Sequence, residues 1–181
     1  YMILISLTFV LVACSSSQNN LIQIEFNANG GKFADNSDQQ IICISNDQTF
    51  TSPIPYYDGY IFLGWFDKDN EYTKNTASSN LTLTAKWFKV GVKYNIFYDL
   101  DGGTILEDFS NKYYTGSKTT LPIPTKKYHE FVGWYKDENF TDGPYNEIDE
   151  LTSGHIAFYA KFKDVASYKM VTFNLDGGKL E

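Results

Sequence analysis

The sequence predicts a β-rich α+β fold, dominated by strands with little helix and built from two tandem repeat modules. Three observations predict it. Tyr and Phe, which favour strands, supply most of the 17% aromatic residues, and 13 Gly and 5 Pro supply turns. Apolar and polar residues alternate along short segments, as at Ile22, Ile24 and Phe26. A set of short motifs also occurs twice in the same order, which indicates an internal repeat.

The repeat is about 70 residues long and is marked by Gly, Pro and Trp. The first copy contains Gly30-Gly31, Pro53-Ile54-Pro55, Gly64-Trp65 and Ala85-Lys86-Trp87; the second contains Gly102-Gly103, Pro122-Ile123-Pro124, Gly133-Trp134 and Ala160-Lys161-Phe162. Gly177-Gly178 repeats the first motif a third time. We therefore expect module 1 at residues 21–89, module 2 at 92–164 and the truncated start of a third repeat at 168–181. This last segment is expected to fray or to add a strand to module 2.

Four strands are expected in each copy. In the first copy they lie at 22–26, 40–44, 60–66 and 81–87, and the first and fourth alternate between an apolar and a polar face. Asn29-Gly30 predicts a tight turn after the first strand, because these residues accept a positive φ at little cost. Gly64, inside the third strand, predicts a bulge or a close approach by another group. Any helix is expected to be short and to lie before Pro53 or Pro122.

The order of these motifs resembles one known family. Asn/Asp-Gly-Gly, Pro-x-Pro, Gly-Tyr-x-Phe-x-Gly-Trp and Leu-Thr-x-x-Ala-Lys-Trp are similar to the internalin-type B repeat, also called the Listeria–Bacteroides repeat. The second copy departs from the pattern with Tyr128-His129 and Phe162. The resemblance implies compact β-grasp-like modules strung along a bacterial surface protein. It also implies a role in spacing, adhesion or interaction, and no catalysis.

The first residues resemble a targeting signal. Residues 2–12 are uncharged and mostly apolar, too few to span a bilayer but suited to a signal-peptide core. They end in Leu11-Val12-Ala13-Cys14, which resembles a bacterial lipobox. A buried strand ending in cysteine is the alternative. The lipobox implies a signal peptide at 1–13, a diacylglyceryl (palmitate-type) anchor on Cys14 and a flexible tether at 14–20, and hence a lipoprotein on the outer face of the cell membrane.

That modification would consume one of the two cysteines of the chain. We therefore expect no intramolecular disulfide, and we expect Cys43 to behave as a small buried hydrophobe.

The composition gives little sign of chemistry. The net charge is −7 and no basic run occurs, which excludes the electrostatic pattern of a nucleic-acid binder. The run from Asp67 to Glu71 fails the EF-hand pattern at Tyr72, where glycine is needed, and is expected to be a hairpin loop. His129 and His155 occur in the second copy alone. We expect no catalytic residue, no metal and no cofactor.

Three functions remain open from the sequence. The modules act as adhesion or interaction units or as spacers, with an extracellular protein or a glycan as ligand. Alternatively, they form the stalk of a longer surface enzyme or recognition protein encoded beyond Glu181. A third hypothesis is a carbohydrate-binding module that uses exposed Trp65 and Trp134. Six aromatic residues enter that hypothesis, although core packing is the favoured role for them: Tyr60, Trp65, Phe66, Trp87, Trp134 and Tyr135.

Overall fold

The computed structural model describes residues 21–106, 108–165 and 176, and the chain divides into two compact units between Val90 and Gly91. The strands of the first unit are β1 (Leu21–Asn27), β2 (Gln39–Ser45), β3 (Tyr60–Asp67), β4 (Asn70–Glu71) and β5 (Leu81–Lys89). Those of the second are β6 (Lys93–Asp99), β7 (Lys112–Tyr114), β8 (Thr119–Thr120), β9 (His129–Tyr135), β10 (Glu147–Ile148) and β11 (Ile156–Asp164). The described residues contain no helix, so the β-rich prediction is confirmed, and the short helix allowed before Pro53 or Pro122 is not found there.

Both modules arrange their long strands in the same order. Module 1 has the order β2-β1-β5-β3-β4, and module 2 has β7-β6-β11-β9, with β8 and β10 forming a separate small ladder. The two central strands of each sheet run parallel, and their outer neighbours run antiparallel to them. The first and last strands of a repeat are therefore neighbours. This order is compatible with the β-grasp-like description, which stays a prediction.

Each module has its own hydrophobic core, formed by one face of its sheet and by the loops that cover it. The alternation read from the sequence places Ile22, Ile24 and Phe26 inward on β1, with polar residues between them on the other face. Each large apolar side chain that is fully buried contributes about 1.5–3 kcal/mol. The remaining buried residues of the first core are Ala28, Phe33, Ile44, Trp65, Ala77, Leu83 and Ala85, and those of the second core are Ile96, Tyr113, Leu121, Trp134, Ile148, Phe158 and Ala160.

The Gly-Gly motif forms the predicted tight turn. Asn29 and Gly30 have φ values of 47° and 94°, and the Gly31 N–H donates to the Ala28 carbonyl at 3.0 Å. Positive φ at both central residues is the geometry of a type I′ turn. The turn does not connect β1 directly to β2. After the turn, Lys32 forms an isolated antiparallel β-bridge with Tyr56, and β2 begins only at Gln39. Asp101 and Gly102 repeat this geometry, with φ values of 46° and 74°.

The Gly before each buried Trp marks the predicted bulge. The register of β3 against β5 shifts between Phe62 and Gly64, and that of β9 against β11 shifts between Lys161 and Phe162. Gly64 and Gly133 have φ values of 129° and 154°, which L side chains rarely adopt. The bulge prediction is therefore confirmed in both copies.

Cys43 differs from its expectation. It is half-buried on β2 and is disulfide-bonded, so the prediction of no disulfide is wrong for this residue.

Several predicted segments lie outside the described residues, namely the signal peptide, Cys14, the tether, and Gly177-Gly178. Asp176, which precedes Gly177 in the third Asn/Asp-Gly-Gly motif, is described, and its φ of 40° is close to the values at Asn29 and Asp101.

Tyr98 occupies the position of Phe26 in the other copy, and its hydroxyl is poorly accommodated. Within the part of the chain that the structure describes, the Tyr98 hydroxyl is buried and makes no hydrogen bond. Burial raises the pKa of Tyr98 to about 12. A buried hydroxyl without a partner typically costs about 1–3 kcal/mol.

We therefore expect Tyr98→Phe to raise the free energy of unfolding by about 1 kcal/mol, measured by urea denaturation at neutral pH. The pH dependence has a definite sign. Between pH 10 and 12 the unfolded tyrosine ionises while the folded one keeps its proton, so the wild type loses stability as the pH rises, by at most about 1.4 kcal/mol per pH unit from this group. The phenylalanine variant lacks this contribution.

Tyr113→Phe is the control, because the Tyr113 hydroxyl donates to the Gly154 carbonyl and its loss should destabilise. A Tyr98→Phe protein that is destabilised as much as the control would contradict the assignment.

Candidate functional site

The two tryptophans of the Gly-Trp motifs belong to the core. Trp65 and Trp134 are 5% and 1% exposed. Their Nε1–H groups donate to the carbonyls of Pro53 at 2.9 Å and Pro122 at 2.7 Å. The favoured role of these side chains, core packing, is confirmed. Carbohydrate binding through an exposed Trp65 and Trp134 is wrong, because neither ring is available to a ligand.

These hydrogen bonds hold the Pro-Ile-Pro segments in place. The second proline of each segment, Pro55 or Pro124, is buried, whereas the isoleucine between the prolines is 80% exposed at Ile54 and 74% exposed at Ile123. Proline restricts φ, and the tryptophan fixes the carbonyl before the isoleucine. Each module therefore presents an isoleucine on an ordered, extended segment.

The last aromatic residue of each copy lies against the Gly-Gly turn. A Cβ atom placed on Gly31 would come within 2.5 Å of Trp87 Cζ2 and 2.8 Å of the Tyr56 carbonyl oxygen. The same substitution at Gly103 would come within 2.9 Å of Phe162 Cζ. The second glycine of the motif is thus required for close approach of a ring, and the first for its positive φ. Trp87 adds a hydrogen bond from its Nε1 to the Ala28 carbonyl at 2.9 Å.

The surface beside this turn in module 1 is aromatic. We define the tyrosine cluster as Tyr56, Tyr57, Tyr60 and Trp87. The Tyr57 and Tyr60 rings stack with centroids 4.2 Å apart and planes 12° apart, and Trp87 meets Tyr57 edge-on at 5.6 Å. Tyr56 and Tyr57 are 54% and 37% exposed, and Tyr60 and Trp87 are half-buried. The cluster therefore presents ring surface and phenol groups to solvent.

The equivalent surface of module 2 is charged. Lys126 and His129 replace Tyr57 and Tyr60, and Phe162 replaces Trp87. Lys126 Nζ lies 2.8 Å from Asp101 Oδ2 and 5.3 Å from the centre of the Phe162 ring. His129 Nε2 lies 3.0 Å from Asp164 Oδ1. Side chains of this module therefore pair with one another where module 1 presents stacked phenols.

The two copies show which residues the fold requires. Both modules keep the turn, the bulge and the buried tryptophan, while the side chains beside the turn differ in charge and polarity. Because module 2 folds with Lys126 and His129 at these positions, the tyrosines at 57 and 60 are not needed to build the sheet. The tyrosine cluster is the strongest candidate binding surface of the described residues.

The other candidates have simpler structural roles. The run from Asp67 to Glu71 is the predicted hairpin, in which Asp67 pairs with Asn70 and Phe66 with Glu71. His155 Nδ1 accepts from the Asn95 N–H at 3.0 Å. Among residues 21–106, 108–165 and 176, no group of three or more His, Cys, Asp or Glu side chains is arranged to hold a metal ion.

Module 2 also contains a small pocket. It lies in the segment between Trp134 and Ala160, which is longer than the equivalent segment of module 1. Its volume is about 230 Å³, and its lining includes Tyr145, Glu147, Ile148 and Phe158. Pockets that bury drug-sized ligands usually measure about 300–1,000 Å³. The adjoining loop is ordered by Asp137, whose pKa is held below its ordinary value mainly by the hydrogen bond from the Asp142 N–H. The pocket is therefore smaller than a typical ligand site, and the loop beside it is an ordered surface loop.

The repeat is also recognised by comparison with known families. The model of the Listeria–Bacteroides repeat domain matches residues 23–86 and again residues 94–161. The chain belongs to the Listeria–Bacteroides repeat family. Each match begins in the first strand of a repeat and ends in the last, so the family unit spans the parallel central pair of each sheet. The turn, bulge and buried tryptophan described above are the structure of this repeat.

Relatives that contain similar repeats are much longer. The chain is 30% identical over 165 residues to a protein of Evansella cellulosilytica named "Putative membrane protein" and 28% identical over 166 residues to one named "Putative Gly-rich membrane protein" from the same organism. These matches cover 88% of this chain but 23% and 18% of the relatives. No helix long and apolar enough to cross a membrane occurs among the described residues.

Proposed function

We propose that this chain is a non-catalytic surface protein, held at the outer face of the cell membrane, whose tandem repeats bind an extracellular protein or glycan. One observation carries the proposal: the two modules share one fold but have different exposed surfaces beside the Gly-Gly turn. Core and turn residues match between the copies, while the side chains beside the turn do not. Exposed side chains that differ between two modules of the same fold are expected of a recognition surface, whereas a spacer does not require them. We also propose that these repeats are of the internalin B type.

The names of the relatives support membrane association. We propose that the attachment is a diacylglyceryl thioether on Cys14, within the lipobox-like Leu11-Val12-Ala13-Cys14. Two acyl chains give stable attachment, because each buried CH₂ contributes about 0.8 kcal/mol. The chain has two cysteines, so a disulfide within one chain would use the same sulfur atom that the lipid requires. A chain with an intramolecular disulfide and a lipidated chain are therefore different forms of the protein, and the form that we propose at the membrane is the lipidated one.

A second function is favoured by the length of the relatives. Because the chain covers about a fifth of each, its repeats can serve as the stalk of a longer surface enzyme or recognition protein. The reading frame beyond residue 181 distinguishes the two functions. Further repeats followed by a stop codon support the interaction protein, and a domain with a catalytic motif supports the stalk.

The anchor is tested with the full chain expressed in a bacterium that processes lipoproteins. We expect protease added to intact cells to degrade the modules and labelled palmitate to be incorporated into the chain. Cys14→Ala should abolish labelling and leave the unprocessed precursor, because Cys14 is the cysteine of the lipobox-like motif.

Cys43→Ala is the matched control, and it should retain both labelling and surface exposure. Equal labelling of the Cys14→Ala chain, or modules that stay protected until the cells are lysed, would contradict the proposal.

A further inference from the structure

We propose that the tyrosine cluster of module 1 binds a neutral oligosaccharide, and that the equivalent surface of module 2 does not. This inference rests on the proposed function and names the ligand class for one surface of the repeat. It places the binding site on Tyr57, Tyr60 and Trp87 rather than on the buried tryptophans.

The rings of the cluster are ordered by contacts with one another. Tyr57 and Tyr60 lie nearly parallel, and Trp87, which is fixed over Gly31 by its hydrogen bond to Ala28, supports Tyr57 from the side. Tyr57 also lies against Gly30, where an added Cβ would be 3.2 Å from its Cε1 atom. These contacts order the rings before any ligand arrives, so binding loses little side-chain entropy.

The chemistry of the cluster matches a pyranose ring. Aromatic faces pack against the C–H face of a sugar, and phenol hydroxyls both donate and accept hydrogen bonds, as sugar hydroxyls do. Charge selects against acidic glycans. The chain carries a net charge of −7, and Asp58 is exposed directly beside Tyr57. An anionic polysaccharide would be repelled, so the ligand class that fits is a neutral oligosaccharide.

Module 2 provides the internal comparison. At the same place Phe162 is covered by Lys126, which is itself paired with Asp101. Tyr128, in the position of Gly59, is exposed, and Lys127 Nζ lies 4.7 Å from the centre of its ring. His129 lies against Phe162 edge-on at 6.4 Å and pairs with Asp164. Lysine side chains therefore lie over the Phe162 and Tyr128 rings, and Lys126 and His129 stand in place of the stacked Tyr57 and Tyr60, so a sugar ring does not find the same platform there.

The test uses the purified full chain in a detergent without a sugar head group. Cellohexaose, xylohexaose and chitohexaose are the neutral probes, hexagalacturonate is the anionic one, and binding is followed by calorimetry and tryptophan emission. At least one neutral probe should bind, the emission should change through Trp87, and the anionic probe should bind at least tenfold more weakly, about 1.4 kcal/mol.

The variant Tyr57→Lys/Tyr60→His copies module 2 into module 1 and should weaken binding at least tenfold while its circular dichroism stays unchanged. The matched control, Lys126→Ala/His129→Ala, should bind as the wild type does. Absence of heat and emission change with every neutral probe up to about 10 mM would overturn the inference, as would equal binding by the module 1 variant. Neither result affects surface display, which the protease and palmitate experiments score separately.

Discussion

Trp134→Ala is expected to lower the free energy of unfolding of module 2 by about 3–5 kcal/mol, enough to unfold most of a small domain. Trp134 is 1% exposed and packs against Tyr98, Phe131 and Phe158. Its removal leaves a cavity and also frees the Pro122 carbonyl from its hydrogen bond. The measurement is urea denaturation followed by circular dichroism.

Trp134→Phe separates the two contributions. It keeps most of the ring volume and loses the Nε1–H donor, so it should cost less than the alanine variant and chiefly release the Pro-Ile-Pro segment. Faster amide hydrogen exchange around Ile123 would show that release. An alanine variant as stable as the wild type would contradict the assignment of this ring to the core.

Gly133→Ala is expected to be much more destabilising than Gly64→Ala, although the two glycines occupy the same position in the repeat. Both have positive φ, which costs an alanine about 1–3 kcal/mol. At Gly133 the new Cβ would also lie 2.3 Å from Pro144 Cβ, a contact that requires the backbone to move. At Gly64 the nearest atom is Glu71 Oε1 at 3.4 Å, at the end of a flexible side chain. Overpacking should add about 1–3 kcal/mol at Gly133 alone.

Denaturation of the two single variants gives the comparison directly, and each serves as the other's control. Equal losses of stability would show that backbone strain accounts for both, and that Pro144 does not pack as the structure places it.

Much of the fold was predictable because local chemistry determines it. Asn29-Gly30 and Asp101-Gly102 form tight turns because both central residues need positive φ, and few other pairs accept it. Gly64 and Gly133 mark bulges because a glycine inside a strand has little other reason to be there. The period of two in β1 correctly assigned its buried face. The small β8-β10 ladder was not predicted, since two-residue strands leave no periodic pattern.

The candidate site was less predictable, because burial and exposure depend on tertiary contacts. Tyr57 and Trp65 are both aromatic residues close to Pro-Ile-Pro, yet Tyr57 is on the surface and Trp65 is in the core. One available signal was the replacement of Tyr57 by Lys126, since core positions rarely exchange an aromatic residue for a charged one. The reason for Gly31 could not be read from the sequence, because the ring of Trp87 reaches it from the far end of the repeat.

The central claim, a lipid-anchored surface repeat protein, is tested most directly by mass spectrometry of the peptide that contains Cys14, taken from the protein in the cell envelope. The account predicts that Cys14 is the first residue of the mature chain and carries a diacylglyceryl thioether. An unprocessed chain in which the Cys14 peptide is linked by a disulfide to the Cys43 peptide would contradict it.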